Sequence, residues 1–196
     1  MKKLIILTLT ICFFAVASFS ETFAGWDPAK AEQEKKAAEE TIAKFKEKDP
    51  SLKRFFDEAW GYAVYPTVGS GALIVGAAHG TGVVYENLWI SALMHDPLVK
   101  GKIIGRSSLS QGTVGLQAGG QAYSEIIFFK DKAAFDSFKE GKLKLAAQAS
   151  AIAVKTGAST DAAYDGGVAV FTMGKGGLML QAAVGGQTFT FEPIPE

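Results

Sequence analysis

Cysteine is nearly absent from this chain of 196 residues: Cys12 stands alone inside an N-terminal apolar run, and the Ile11 before it is not the small residue a lipoprotein signal wants. No disulfide framework is available, so the fold must be held by its core. Histidine is scarce too, at His79 and His95 only, and no G-x-S-x-G nucleophile elbow is present. A His–Ser pair made by tertiary contact stays open, but each histidine reads first as a polar turn residue. Metal-binding patterns are missing as well. The mature chain would have no thiol, and its carboxylates lack an EF-hand or His-x-x-Glu-like spacing, so neither a metal nor another cofactor is expected. Phosphate-cradling loops fail on detail: Gly80-Thr81-Gly82 is not followed three residues on by glycine, and Gly174-Lys175 is followed by Gly176 where a P-loop needs Ser or Thr. Catalytic residues are therefore not assigned.

Net charge is also lacking, with 20 basic and 20 acidic residues. Near-neutrality argues against a nucleic-acid partner, whose binders cluster Lys and Arg on phosphates, and against a purely electrostatic membrane binder. At the N-terminus, Lys2-Lys3 precede a run from Leu4 to Phe19 broken only by Thr and Ser, and Thr22-Phe23-Ala24 offers a small-x-Ala cleavage site. This predicts a secretory signal peptide over 1–24. A retained anchor is the alternative, but the run falls short of the roughly 20 residues a span needs. Cleavage removes Lys2, Lys3 and Glu21, leaving 18 basic and 19 acidic residues in 172. That length suits one domain, 25–196, burying roughly 70% of its extended-chain surface.

Glycine is absent between Gly25 and Gly61, and 21 of the 22 glycines lie from Gly61 to Gly186. The division predicts a helical part over 28–60 and a mostly β part over 61–192. Asp27-Pro28 and Asp49-Pro50 each read as an N-cap with proline in the first turn, placing helices over Pro28–Lys48 and Pro50–Trp60, the second stopped by Gly61. The first is charged nearly all round, with Glu32/Lys36 and Glu40/Lys44 at i,i+4 and a thin stripe of Ala31, Ala38, Ile42 and Phe45, as a solvated surface helix would be. The second has a strong apolar face in Leu52, Phe55, Phe56, Ala59 and Trp60 beside Lys53 and Arg54. It reads either as a membrane-surface helix or, preferably, as a helix packed on the sheet.

Beyond Gly61 the period changes to that of strands. Thr113 to Phe129 predicts a central hairpin turning at Gly119-Gly120, its second strand ending in Ile126, Ile127, Phe128 and Phe129, as a strand buried on both faces would. Tyr62–Tyr65 predicts a short strand stopped by Pro66, and Ala72–Ala78 with Val83–Glu86 a hairpin turning at His79-Gly80-Thr81-Gly82. Residues 69–80 and 174–185 share six identities in twelve positions, and the LQA and GGQ triplets of Leu116–Gln121 recur over Leu180–Gln187. The spacing of copies is irregular, so this is reuse of a glycine-punctuated hairpin and not a solenoid. Asp131 predicts a capped helix over Lys132–Glu140, with Ala134, Phe135 and Phe138 inward and Gly141 ending it. Leu143–Lys155 is ambiguous between helix and strand and is read as a long strand of small residues. Thr156–Gly167 is loop; Val168–Thr172, Leu178–Val184 and Thr188–Glu192 close the sheet. The helical third and the Gly- and Ala-rich strands do not show the apolar girdle of an outer-membrane barrel.

The run GGQAYSEIIFFKDKAAFDSF, with WGYAVYPTVGSGA before it and GGVAVFTMGKGGLMLQAAVGGQTFTF after it, resembles the SYLF family of lipid-binding domains in its bacterial exported form, from about Ala31 to Phe191. The resemblance implies a non-catalytic phospholipid-binding protein of the cell envelope, periplasmic or secreted and peripheral to the membrane. Its ligands would be anionic or phosphoinositide-type head groups; some eukaryotic relatives also bind actin, and any protein partner of this chain is unknown. Alternatives are a carrier of an apolar ligand within the sheet and a structural envelope protein that binds another protein. One segment departs from the pattern: between Glu86 and Ser110 relatives have a short turn, whereas this chain has an insertion centred on Leu88–Leu98, rich in Trp89, Ile90, Leu93 and Met94, which either folds back on the domain or presents an apolar patch. The expected lipid-binding set is therefore Lys53, Arg54, Phe56 and Trp60 with Trp89, Ile90, Leu93 and Met94. The expected fold class is α+β, a curved antiparallel sheet or small barrel built from glycine-punctuated hairpins and flanked by N-terminal and central helices.

Overall fold

The computed structural model of the chain describes residues 28–72, 75–87, 101–114, 121–145, 151–175 and 186–195. The predicted signal peptide, the Asp27 cap, the Gly119-Gly120 turn, the 88–98 insertion and the strand Leu178–Val184 lie outside the described residues. Helix α1 spans Pro28–Lys48, as the sequence predicts, and buries only Ala38, Thr41 and Phe45. Asp49 caps a 3₁₀ turn (Pro50–Leu52) that leads directly into α2 (Lys53–Glu58). α2 ends two residues before the predicted Trp60. Ala59 is already extended, and Trp60 N donates to Phe129 O at 2.8 Å, so the sheet captures the chain before Gly61 can act as a stop.

Among the described residues seven strands follow: β1 (Gly61–Ala72), β2 (Val75–Glu86), β3 (Lys102–Val114), β4 (Gln121–Phe129), β5 (Ile152–Ala153), β6 (Val168–Gly174) and β7 (Gln187–Pro193), with helix α3 (Lys132–Lys139) after β4. They form one sheet in the order β5-β6-β4-β1-β2-β3-β7. All described neighbours are antiparallel except the two-residue β5, which runs parallel to β6, so the sheet is mixed and, among the described residues, not closed into a barrel. Its curvature is plain from side chains that meet across intervening strands. Gln187 of β7 hydrogen-bonds Glu125 of β4 although β1, β2 and β3 lie between them in the ladder, and the Tyr65 hydroxyl of β1 meets Ser107 Oγ of β3 at 2.7 Å.

Each face of the sheet has its own core. On the concave face Ala63, Tyr65, Leu109, Ile127, Phe129 and Phe189 pack with Phe135 and Phe138 of α3. On the convex face Tyr62, Val64, Ile126, Phe128 and Phe171 pack with Phe45 of α1 and Phe55 and Phe56 of α2. The alternation of β4 feeds both cores, and Ile126 to Phe129 are wholly buried, the central position expected of that run. α3 is capped by the Asp131 carboxylate on Ala134 N and closes at Gly141, which adopts φ +66°, a conformation that favours glycine.

Four sequence expectations are corrected here. β3 and β4 do not form a hairpin: β3 bonds to β2 and β7 and β4 to β1 and β6, because a strand apolar on both faces is accommodated between two neighbours near the sheet centre. Pro66 does not stop β1, because it lies at a register shift toward both neighbours, where its missing N–H removes no ladder bond. His79-Gly80-Thr81-Gly82 is no turn but the middle of β2, paired on both sides. Gly82 is needed there for close approach: a Cβ would lie 2.5 Å from Val64 O and 2.7 Å from Tyr65 Cδ1, at the β1 bulge. Among the described residues of the predicted strand Leu143–Lys155, only Ile152–Ala153 forms a strand; the backbone N–H groups of Lys142 and Leu143 turn back onto Ser137 O.

Candidate functional site

The α1–α2 junction is tied to the rest of the molecule by one buried carboxylate. Asp49 Oδ1 accepts from Ser51 N (3.2 Å), Ser51 Oγ (2.5 Å) and Gly157 N (3.1 Å), and its Oδ2 accepts from Ser159 N (2.8 Å). The hydroxyls of Ser51 and Ser159 meet at 2.6 Å. Burial by itself would raise the Asp49 pKa, but hydrogen bonds from Ser51, Ser159 and Gly157 outweigh it and hold the carboxyl at about 2. The 157–162 loop is thereby locked against the start of α2.

Arg54 extends the same lock. Its Nη2 donates to Ser159 O (2.7 Å) and Ala162 O, and its guanidinium lies 4.7 Å from the centroid of the Phe55 ring. Lys53, one residue earlier, pairs with Asp57. Both basic side chains remain exposed, but each already has polar partners within the protein. Phe56 is turned inward, 8% exposed, against Tyr62 (5.2 Å) and Phe128 (4.8 Å), both edge-on, with the Lys46 ammonium 4.2 Å from its centroid. It seats α2 on the sheet. Trp60 is half-buried against the concave core, so Phe56 and Trp60 lie on opposite faces where the chain crosses into β1.

Trp89, Ile90, Leu93 and Met94 lie outside the described residues, but both roots of their segment are placed. Asn87 Nδ2 donates to Phe56 O (2.9 Å) and Ala59 O (2.8 Å), satisfying carbonyls at the C-terminal end of α2, and Asn87 N donates to Trp60 O (3.0 Å). Gly101, at the other root, approaches so closely that a Cβ there would lie 2.8 Å from Asn87 Oδ1. The segment between them thus leaves and re-enters the fold beside the end of α2 and Trp60. The two roots of that segment and the end of α2 with Trp60 thus lie together, a juxtaposition that sequence spacing does not reveal.

Elsewhere, a groove of about 270 Å³ lies between the first half of α1 and the sheet, lined by Ala31, Val83, Ile103 and Ile194 with the Glu34–Arg106 ion pair beside them. His79 Nδ1 sits 3.4 Å from Ser110 Oγ on exposed strand surface, at the outer limit of a hydrogen bond. Among the described residues no three His, Cys, Asp or Glu side chains are placed to hold a metal ion, and no helix is long and apolar enough to cross a membrane. Sequence reasoning found Asp49 as a cap but missed its partners Gly157 and Ser159, more than a hundred residues away. It also passed over Glu125, whose signal was a lone carboxylate in the strand Tyr123–Phe129.

Residues 110–192 match the family model Ysc84, described as Las17-binding protein actin regulator. Over 154 residues the chain is 29% identical to Beta cell expansion factor A of Aeromonas veronii, a match covering 78% of this chain and 53% of that protein. The chain therefore spans about half the length of the curated relative it matches. Together these matches bear out the resemblance to the SYLF family.

Proposed function

We propose that this SYLF-like chain is a non-catalytic phospholipid-binding protein, exported and held peripherally at a membrane of the cell envelope. Its contact surface is the end formed by α2, Trp60 and the segment rooted at Asn87 and Gly101. The observation that carries this reading is the convergence itself: Asn87 joins the root of the Trp-, Leu- and Met-bearing segment to the α2 carbonyls. Lys53 is paired with Asp57 and the chain has no net charge, so attraction to anionic lipid supplies little affinity. Insertion of apolar side chains must supply most of it, at about 1.5 to 3 kcal/mol for each large one fully buried. Arg54 and Lys53 then act in head-group selection, favouring anionic or phosphoinositide-type groups. In this role Lys53 exchanges Asp57 for phosphate.

The carrier reading draws less support. Both faces of the sheet are occupied by packed cores, and the groove beside α1 is slightly below the usual size of a small-molecule pocket. Co-sedimentation with vesicles across a panel of head groups tests the proposal. Binding is expected to vesicles containing phosphatidylglycerol, cardiolipin or phosphoinositide, with weaker binding to phosphatidylcholine alone. Absence of binding to every composition, while the protein remains folded, would refute it.

A further inference from the structure

Glu125 is wholly buried at the middle of β4. Its cross-strand neighbours on the concave face are Tyr65 of β1 and Thr172 of β6. Among the described residues no ammonium or guanidinium pairs with it; the titratable groups coupled to it are the phenols of Tyr65 and Tyr123, both raised chiefly by burial. Its single described hydrogen bond is accepted by Oε2 from Nε2 of Gln187, at 3.1 Å. Gln187 is also wholly buried, and it stands at the start of β7, where it is paired with Gln111 of β3.

The remaining oxygens of this pair are the informative atoms. Among the described residues Glu125 Oε1 and Gln187 Oε1 are both buried and find no hydrogen-bond partner, nor does Thr172 Oγ1 opposite. With the carboxyl ionised, each of the two Oε1 atoms is a buried acceptor that no described donor satisfies, a costly arrangement. One proton on Glu125 Oε1 makes it a donor to the carboxamide oxygen. An acid and an amide can in this way share two bonds, the N–H to carboxyl oxygen bond already present and an O–H to amide oxygen bond that would satisfy both orphan atoms. The strong burial of this carboxyl, only partly offset by the Gln187 bond, raises its pKa to about 8.

β7 is the strand this pair restrains. Among the described strands it bonds to β3 alone. Two residues beyond Gln187, Phe189 packs against Phe138 (5.5 Å) and Tyr65 (6.3 Å) and covers the concave core. We propose that Glu125 and Gln187 form a proton-operated latch: protonated, Glu125 holds β7 over the concave face; deprotonated, it releases β7 and admits water to the core beneath Phe189. The proton leaves to bulk water, and the carboxylate left behind gains the hydration that the closed interior denies it. This inference is independent of lipid binding.

Hydrogen exchange of the full chain between pH 6 and 9.5, corrected for intrinsic exchange rates, tests the latch on peptides covering 187–193. In the wild type, protection of these peptides is expected to fall at least 10-fold with a midpoint near pH 8. In E125Q, whose neutral amide bonds to Gln187 at every pH, the profile should be flat. Equal pH profiles in the two proteins would overturn the proposal. Should E125Q not fold, the wild-type Glu125 carboxyl ¹³C resonance decides: a midpoint above pH 7 with concurrent change in β7 amides supports the latch, whereas a midpoint near 4.5, or titration without change in β7, overturns it.

Discussion

Replacing Asp49 by Asn removes one charge and one acceptor from a site where a single carboxylate receives four hydrogen bonds. Whichever way the new amide turns, its NH₂ faces at least one N–H that formerly donated to an oxygen. A hydrogen bond to a charged group contributes about 1.5 to 3 kcal/mol, and the donor left without an acceptor adds its own desolvation cost, so a loss of about 2 to 4 kcal/mol is expected at pH 7. That is a large part of the roughly 5 to 15 kcal/mol that stabilises a typical domain. Acid gives an independent handle. The folded pKa of about 2 lies below the ordinary 3.8, so this contribution is present above pH 4 and is lost as pH falls toward 2. At about 1.4 kcal/mol per unit the linked term is at most about 2.5 kcal/mol. Urea unfolding at pH 7 and at pH 2.5 should therefore show a gap between wild type and D49N that narrows on acidification. Equal midpoints at pH 7, or a gap unchanged at pH 2.5, would refute this account of the junction.

Phe128→Ala should lose about 3 to 5 kcal/mol in the same assay, since Phe128 is wholly buried and its ring meets those of Phe55, Phe56, Tyr62 and Phe171. A well-folded F128A with ordinary thermal stability and selectively lost vesicle binding would instead make β4 part of the site. Lys53→Ala with Arg54→Ala should weaken binding to anionic vesicles several-fold at low salt; unchanged binding would remove both residues from the head-group assignment. Its melting temperature must be measured alongside, because Arg54 also holds the carbonyls of Ser159 and Ala162. Wild-type stability should fall between pH 4.5 and about 8, by up to roughly 1.4 kcal/mol per unit, because over that range folded Glu125 keeps a proton that the unfolded chain has lost. E125Q should remove that slope, and an identical slope in both would contradict the raised Glu125 pKa.

Local chemistry made α1, the Asp49 and Asp131 caps and the run Ile126–Phe129 legible in the sequence. Each depends on near neighbours in the chain: proline in a first turn, an aspartate before a helix, four apolar residues in succession. Strand order was not legible, because pairing is a long-range choice. Gly80 and Gly82 look like turn residues one at a time, and their use in mid-strand depends on the bulge at Pro66, which belongs to another strand. Pro66 itself reads as a stop until both ladders are seen to shift register around it. The same limit applies to the site. Lys53 to Trp60 could be picked out as an amphipathic stretch, yet that Arg54 is bound to the 159–162 loop and that Asn87 fastens the next segment to α2 are tertiary facts.

The central claim, that the end bearing Trp60 and the segment after Asn87 enters a bilayer, is tested most directly by a single fluorophore. Trp26→Phe with Trp60→Phe leaves Trp89 as the only tryptophan of three. On adding vesicles that bind the protein and contain brominated lipid, the emission of Trp89 should shift to the blue and be strongly quenched. Bound protein whose Trp89 emission is neither shifted nor quenched would contradict the claim.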